Sequence, residues 1–278
     1  KRYLKDTEFE TPYSVFYQDG RAATKRLTKL MGSKVFDFPK DEQILQTLLS
    51  MTTDEQDLVL DFFAGSGTTA HAVMALNAED GGNRRCISVQ LPERTDEKSE
   101  ARKAGYETIS EITRERIRRA GSKILAEEAS MLDGRAETLD VGFRAYKLVD
   151  TNFTKWRAEA SMDADKLSDL FTQMGDSTDD AARPEALLTE VLLKLGFSLT
   201  EQVENMDVAD LQVFSVANGL MLAYLNEHVK PTLEQLRVII ALEPERFVIL
   251  EDAFQGDDEL KTNLVQECRT HGVDLWTV

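Results

Sequence analysis

The sequence predicts an α/β protein, in which a unit with a parallel sheet and a ligand-binding turn is followed by a second, smaller α/β domain. Three observations carry this reading. The stretch "LVLDFFAGSGTTAHAVMALN" at 58–77 reads as a strand, a glycine turn and a helix. "CISVQL" at 86–91 supplies a second strand, which closes a strand-helix-strand unit. Beyond residue 185 helical and strand patterns alternate again. Two strands joined by a helical crossover run parallel, and such units bind ligands at the carboxyl end of the first strand.

The elements follow in order. "PKDEQILQTLLSM" places Ile44, Leu45, Leu48 and Leu49 on one helical face, with Pro39 and Asp41 as start signals. In "DLVLDFF" the short apolar run Leu58, Val59, Leu60, followed by Phe62 and Phe63, reads as a strand buried on both sides. After Gly65 and Gly67, "TTAHAVMAL" brings Ala70, Val73 and Met74 to one face of a helix that "AEDGGN" ends. Ile109, Ile112, Ile117 and Ile124 recur near helical spacing and predict one long helix over about 106–129. "GFRAYKLV" at 142–149 reads as a strand. Residues 158–184, rich in acidic and small side chains, read as a mobile connection or lid. The second domain then predicts a helix near 185–195, strands at "LQVFSVA" and "LMLAYL", a helix over 232–241, the strand "RFVIL", a helix over 258–271 and the strand "VDLWTV". The resulting division is 1–150, a connection over 151–184, and 185–278.

Composition bounds the function. A chain of 278 residues with 42% hydrophobic content can bury a sizeable core. No apolar run approaches the roughly 20 residues of a membrane span, and "KRYLKDTEFE" lacks a signal peptide's apolar segment. A cytoplasmic setting without membrane contact is expected. Two isolated cysteines and three scattered histidines suggest neither a disulfide framework nor a zinc site, so no metal is expected. A net charge of −17 opposes wrapping of nucleic acid over the general surface. The densest basic stretches, 84–86 and 114–123, read as solvated faces of mixed charge.

The glycine turn poses the chemical question. Gly65-Ser66-Gly67-Thr68-Thr69-Ala70 fits G-x-G-x-x-G/A, by itself a weak dinucleotide signal. Asp61, however, stands at the strand end four residues before the first glycine. A carboxylate there repels a diphosphate and attracts an ammonium. S-adenosylmethionine, with a sulfonium and an α-ammonium and no phosphate, suits such a site better. The glycines would let the backbone approach the ligand, and Thr68 and Thr69 would supply hydroxyls or cap the helix. The bland alternative is that Asp61 is a structural cap and the glycines merely make a tight turn.

These residues resemble a known family. "LDFFAGSGTTAHAVMALNAEDGGNRRCISVQLPE" is similar to the cofactor segment of the β-group amino-methyltransferases of DNA, and in particular to the modification subunit of type III restriction-modification systems. "GSKVFDFPKDEQILQTLL" resembles the segment that precedes the cofactor loop and helps to close its pocket. "ETISEITRERIRRAG", "DVGFRAYKLVDTNFTKW" and the terminal "FVILEDAFQGDDELKTNLVQECRTHGVDLWTV" resemble the family's C-terminal half. The resemblance implies a Rossmann-like methyltransferase fold in which Asp61, Phe62, Phe63, Ala64, Gly65, Ser66, Gly67, Thr68 and Thr69 bind S-adenosylmethionine, flanked by Phe38, Pro39 and Lys40. Many relatives place a carboxylate against the ribose hydroxyls at the end of the second strand. This chain has Gln90 there, whose amide can accept such a bond, with Glu93 close enough in sequence to contribute.

The resemblance also implies adenine methylation in double-stranded DNA, and here the chain departs from the pattern. Relatives grip the extruded base's amino group with a D-P-P-Y-type segment. None of the six prolines here adjoins another, so these residues offer no catalytic group of that kind. In the family that segment precedes the cofactor loop, so it is expected before Lys1, together with most DNA contacts. A start at Lys agrees with that, and this fragment alone is expected to be inactive. Expected partners are DNA, a second modification subunit in a homodimer and the restriction subunit, for which 185–278 is a candidate docking surface. A nicotinamide or flavin oxidoreductase would want an acidic ribose contact at Gln90 and tolerate Asp61 poorly. A degenerate homologue that only binds cofactor or assembles subunits is the other alternative. His71 reads as a packed or solvated helix residue, Trp156 and Trp276 as core anchors, and Asp257 as a helix N-cap with Glu259 in the first turn.

Overall fold

The computed structural model describes residues 15–129, 139–153 and 183–278, and the chain divides into two compact units at Ala145/Tyr146. The connection expected over 158–184 and Trp156 lie almost wholly outside the described residues.

The first unit is built on α1 (Gly20–Met31), α2 (Glu42–Thr52), β1 (Leu58–Asp61), α3 (Thr68–Asp80), β2 (Arg85–Ser88), α4 (Glu100–Lys103) and α5 (Ile109–Ala129). Asp41 caps α2 by accepting from the amides of Gln43 and Ile44. β1 and β2 pair in parallel, with Leu58 opposite Arg85 and Asp61 opposite Ser88. The crossover α3 is apolar almost all round: Ala70, Ala72, Val73, Met74, Leu76 and Ala78 are buried. Its alanines admit α2 on one side and α5 on another. The α3–β2 corner is pinned by buried polar groups. Arg84 pairs with Asp80 at 2.8 Å, its Nε donates to Thr53 Oγ1, and Asn77 Nδ2 donates to the Arg84 carbonyl. Arg84 is thus an internal brace and not part of a solvated basic face.

Two expectations about strands fail as well. β1 is not buried on both sides: Leu58 is 51% and Leu60 48% exposed, as are Ile87 (48%) on the adjoining strand and Val89 (47%) just beyond its end. Helix α3 covers one face of the two-stranded sheet, where Cys86 joins the cluster of Ala70, Met74, Ala78, Ile117 and Ile124. Among the described residues nothing covers the other. The stretch 142–149 has no regular secondary structure and, among the described residues, no strand partner; it straddles the boundary between the units. Side-chain alternation alone does not make a strand without a neighbouring edge to bond. Helix α1 has no counterpart in the sequence reading; it buries Ala23, Leu27 and Met31.

The second unit comprises α6 (Pro184–Lys194), β3 (Val203–Val208), β4 (Leu211–Val216), β5 (Met221–Tyr224), α7 (Leu233–Ile240), β6 (Arg246–Ile249), α8 (Asp258–His271) and β7 (Asp274–Thr277). The sheet order is β3-β4-β5-β6-β7; the first two pairings are antiparallel and the last two parallel. Crossovers α7 and α8 make the parallel pairings, as helix-linked strands must. Strand β3 is the element the sequence reading missed, because "VENMDV" has too few apolar residues to stand out. The core is dry: Phe247, Val248, Ile249, Leu250, Leu236 and Ile240 have no exposure. Asp257 caps α8 through the Leu260 amide, as expected. Trp276 is no core anchor. It is 42% exposed, with its ring under the Arg246 guanidinium and its indole N–H on Asp274.

Candidate functional site

The turn between β1 and α3 sits where the parallel strands end, and its shape is fixed from three directions. From within, Asp61 Oδ1 accepts the Phe63 amide at 3.1 Å and Oδ2 accepts the Thr69 hydroxyl at 2.6 Å. From β2, Gln90 Oε1 accepts the Gly65 amide at 2.7 Å and the Val89 carbonyl accepts the Ala64 amide. From α5, the Thr113 hydroxyl donates to the Gly65 carbonyl at 2.6 Å, and Arg116 Nη1 donates to the hydroxyls of Ser66 and Thr68, each at 2.7 Å.

The glycines have distinct reasons. Both have positive φ, +53° at Gly65 and +77° at Gly67, where a side chain would be strained. At Gly67 a Cβ would also lie 3.1 Å from Thr113 Cγ2 and 3.2 Å from its carbonyl oxygen. The close approach of α5 therefore by itself demands glycine at Gly67.

Of the residues singled out from the sequence, 61–69 and Gln90 come together at this turn. Ala64, Ser66, Gly67 and Thr68 are buried and form its base. Phe62 (63% exposed) and Phe63 (85%) lie open at its rim. Gln90 spends its carbonyl oxygen on the Gly65 amide, so it braces the turn, with one lone pair of that oxygen left for a ligand. Glu93 is exposed, and its backbone carbonyl accepts the Ile109 amide. In the flanking segment Pro39 is buried and Lys40 exposed, while Phe38 is 91% exposed at φ +53°. A large apolar side chain held outward on a left-handed backbone is costly on both counts, and such outliers cluster where ligands bind. Phe36 ties this segment to the turn: its ring lies 3.6 Å from where a Gly65 Cβ would stand.

This is a surface suited to S-adenosylmethionine. Asp61 offers an anion at the strand end for an ammonium, and exposed phenylalanine rings offer flat apolar faces for an adenine. No group of acidic, histidine and cysteine side chains that could hold a metal occurs among the described residues.

Known proteins resemble this chain in its first part and along its length. Residues 3–118 match the DNA methylase family. The Mod subunit of the type III restriction-modification enzyme EcoP15I from Escherichia coli is 30% identical over 268 residues, 95% of this chain and 38% of its own. The EcoPI Mod subunit of Escherichia phage P1 is 29% identical over 94% of this chain and 39% of its own. The StyLTI Mod subunit of Salmonella typhimurium is 46% identical over 123 residues, 44% of this chain and 18% of its own. Along most of its residues the chain is similar to type III Mod subunits. It spans about two-fifths of the length of those it matches along most of its own residues. The turn at 61–69 lies within the residues that match the DNA methylase family.

The sequence reading missed Arg116, which it placed on a solvated basic face; it is 1% exposed. The signal was present, since Arg116 follows Ile112 by four residues and precedes Ala120 by four, on the apolar stripe of α5. His71 is packed beneath the turn. Burial, with the adjacent Arg116 charge, lowers its pKa from 6.5 to about 4, so it is neutral at pH 7. Its Nδ1 lies 3.5 Å from Arg116 Nη2 and can only accept from it, so the ring proton sits on Nε2. In the second unit, a cavity of about 450 Å³ is lined by Glu227, His228, Glu251, Asp252, Asp257 and Lys261, an acidic surface unsuited to DNA.

Proposed function

We propose that this chain is the cofactor-binding part of a Rossmann-like, S-adenosylmethionine-dependent DNA methyltransferase of the type III Mod kind, acting on the exocyclic amino group of adenine. The observation that carries the reading is the turn itself: Asp61 at the end of a parallel strand, a preformed glycine turn, and exposed Phe38, Phe62 and Phe63. Asp61 and Gln90 would orient the cofactor's amino-acid and ribose ends, Glu93 would assist at the ribose, and Phe38, Pro39 and Lys40 would flank the adenine. When bound, S-adenosylmethionine supplies an electrophilic methyl group on its sulfonium. The residues of this chain would bind and orient it, and its sequence contains no D-P-P-Y-type segment to position the target adenine of DNA.

The acceptors and stacking ring for adenine would come from a D-P-P-Y-type segment outside residues 1–278. The open face of β1 and β2, with Leu58, Leu60, Ile87 and Val89, supports this, because a parallel sheet is ordinarily covered on both faces. Residues 1–150 would form the cofactor domain, 151–184 an acidic connection and 185–278 a docking module for the restriction subunit or a second Mod chain. Double-stranded DNA, engaged mainly by the other part of the protein, and a cytoplasmic location complete the proposal. Among the described residues no helix is long and apolar enough to cross a membrane. The second reading, a non-catalytic cofactor-binding or assembly module, is favoured by the absence of adenine-positioning groups in this sequence.

Calorimetric titration tests the cofactor. S-adenosylmethionine should bind, NAD should not displace it, and Asp61→Asn should weaken binding roughly 10- to 100-fold, as loss of a charge-assisted hydrogen bond does. Equal affinity in the variant would refute the assignment. Transfer of labelled methyl groups to mixed-sequence DNA tests the chemistry. Residues 1–278 should give none and a longer protein with the D-P-P-Y-type segment should give robust transfer, because positioning contributes roughly 7–11 kcal/mol. Silence from both on DNA with the recognition site would favour the second reading.

A further inference from the structure

Between the turn and the segment at 38–40 lies a chain of charge, buried at Arg116 and Glu42, that cofactor binding by contact does not need. Arg116 donates to Ser66 and Thr68 in the turn at 2.7 Å, and its Nη2 lies 3.6 Å from Glu42 Oε2. Glu42, 8% exposed, is the first residue of α2 and also accepts from Arg26 Nε. Arg26 Nη2 pairs at 2.7 Å with Asp41, the residue that caps α2. Two guanidinium groups and two carboxylates thus alternate from α1 to α5, and the chain ends on the hydroxyls of the turn. The segment at 38–40 is held on both sides, by Phe36 against Gly65 and by Glu42 through Arg116.

A stabilising role explains this poorly. The Arg116–Glu42 pair is deeply buried; such a pair recovers little of its desolvation cost, and apolar side chains of the same volume often serve stability as well or better. Arg116 Nε is moreover buried without a hydrogen-bond partner among the described residues. What the arrangement does supply is a fixed distance: one planar guanidinium sets the hydroxyl side of the turn against the start of α2.

We infer that Arg116 is the positioning residue of the cofactor site, cross-linking the glycine turn to the segment at 38–40 through Glu42 so that both walls stand at their working separation before the ligand arrives. This rests on the cofactor reading above. Burial lowers the pKa of Arg116 to about 10, which leaves it charged at neutral pH and the cross-link intact. A site already assembled spends none of its binding energy on ordering its walls.

The test combines a ligand-free and a ligand-dependent measurement on the full chain. Hydrogen–deuterium exchange is compared in the wild type, Arg116→Met and Glu42→Gln, with S-adenosylmethionine affinity measured on the same samples. In both variants, exchange should quicken together at 38–44 and 62–69, with the strands at 211–224 of the second unit unchanged, and affinity should fall about tenfold or more. In the double variant it should fall no further than in either single one, because both break the same link. Unchanged exchange at either segment, or wild-type affinity in Arg116→Met, overturns the inference. Should Arg116→Met fail to fold, the isosteric Glu42→Gln decides alone. If the wild type binds no cofactor while the two segments still loosen together, the cross-link stands and the cofactor reading falls.

Discussion

The two sheets of this protein stand in opposite conditions. In the second unit β5 and β6 are central strands of five, and Phe247, Val248 and Ile249 have no exposure. In the first, among the described residues, β1 and β2 pair only with each other, and Leu58, Leu60, Ile87 and Val89 remain about half exposed. Both sequences are apolar and β-prone, so local pattern does not separate them. The number of neighbours does. The second unit has the neighbours for a closed core. The first holds a turn braced from three directions on a sheet open to one side, which suits a surface meant to meet more protein or a ligand.

The largest effect that could break this comparison is a core deletion. Phe247→Ala in β6 should cost about 3–5 kcal/mol, the usual toll of truncating a buried aromatic side chain. Chemical denaturation followed through the second unit would read it. A cost under about 1 kcal/mol would mean that the core is looser than its zero exposure implies.

A smaller effect concerns the polar interior of the first unit. His71 has its pKa lowered from 6.5 to about 4 by burial and by the Arg116 charge. The unfolded chain therefore takes up a proton as pH falls through about 6.5, which the folded one refuses until about 4. Its neutral form stabilises the fold fully above pH 6.5, and that contribution is lost progressively between 6.5 and 4. At pH 5.5 the loss should be about 1.4 kcal/mol. Melting at pH 7.5 and 5.5 for the wild type and His71→Gln measures it, and an equal decline in both would show that His71 titrates normally.

The sequence made these differences partly legible, for physical reasons. Helix α8 was readable from end to end, because Asp257 caps it and Gly272, at φ +70°, ends it. The turn was readable because Asp61, Gly65 and Gly67 combine backbone demand with chemistry in nine residues. Strand β3 was not, because a strand so poor in apolar residues is held by its hydrogen-bonded partner β4 and not by its own pattern. Nor was the role of Arg116, because its partners Glu42 and Ser66 are 74 and 50 residues away, and a basic helix reads as a solvated face until the packing is known. The packing of Thr113 against Gly67, 46 residues apart in the chain, is illegible for the same reason.

The smallest expected effect is the sharpest on the first sheet. Leu60 lies on β1 opposite Ile87, on the face that no described element covers, and is 48% exposed. A side chain half in water loses little further when shortened, and Leu60→Ser leaves no buried hydroxyl to satisfy. In this chain the substitution should therefore change stability by no more than about 0.5 kcal/mol. In a longer protein in which further chain covers that face, the same substitution would truncate a buried leucine and cost about 2–5 kcal/mol. Denaturation of the two proteins side by side reads the difference. A large cost already in residues 1–278 would show that the face is covered in solution, by a second copy if the cost varies with protein concentration, and the contrast between the two sheets would then vanish.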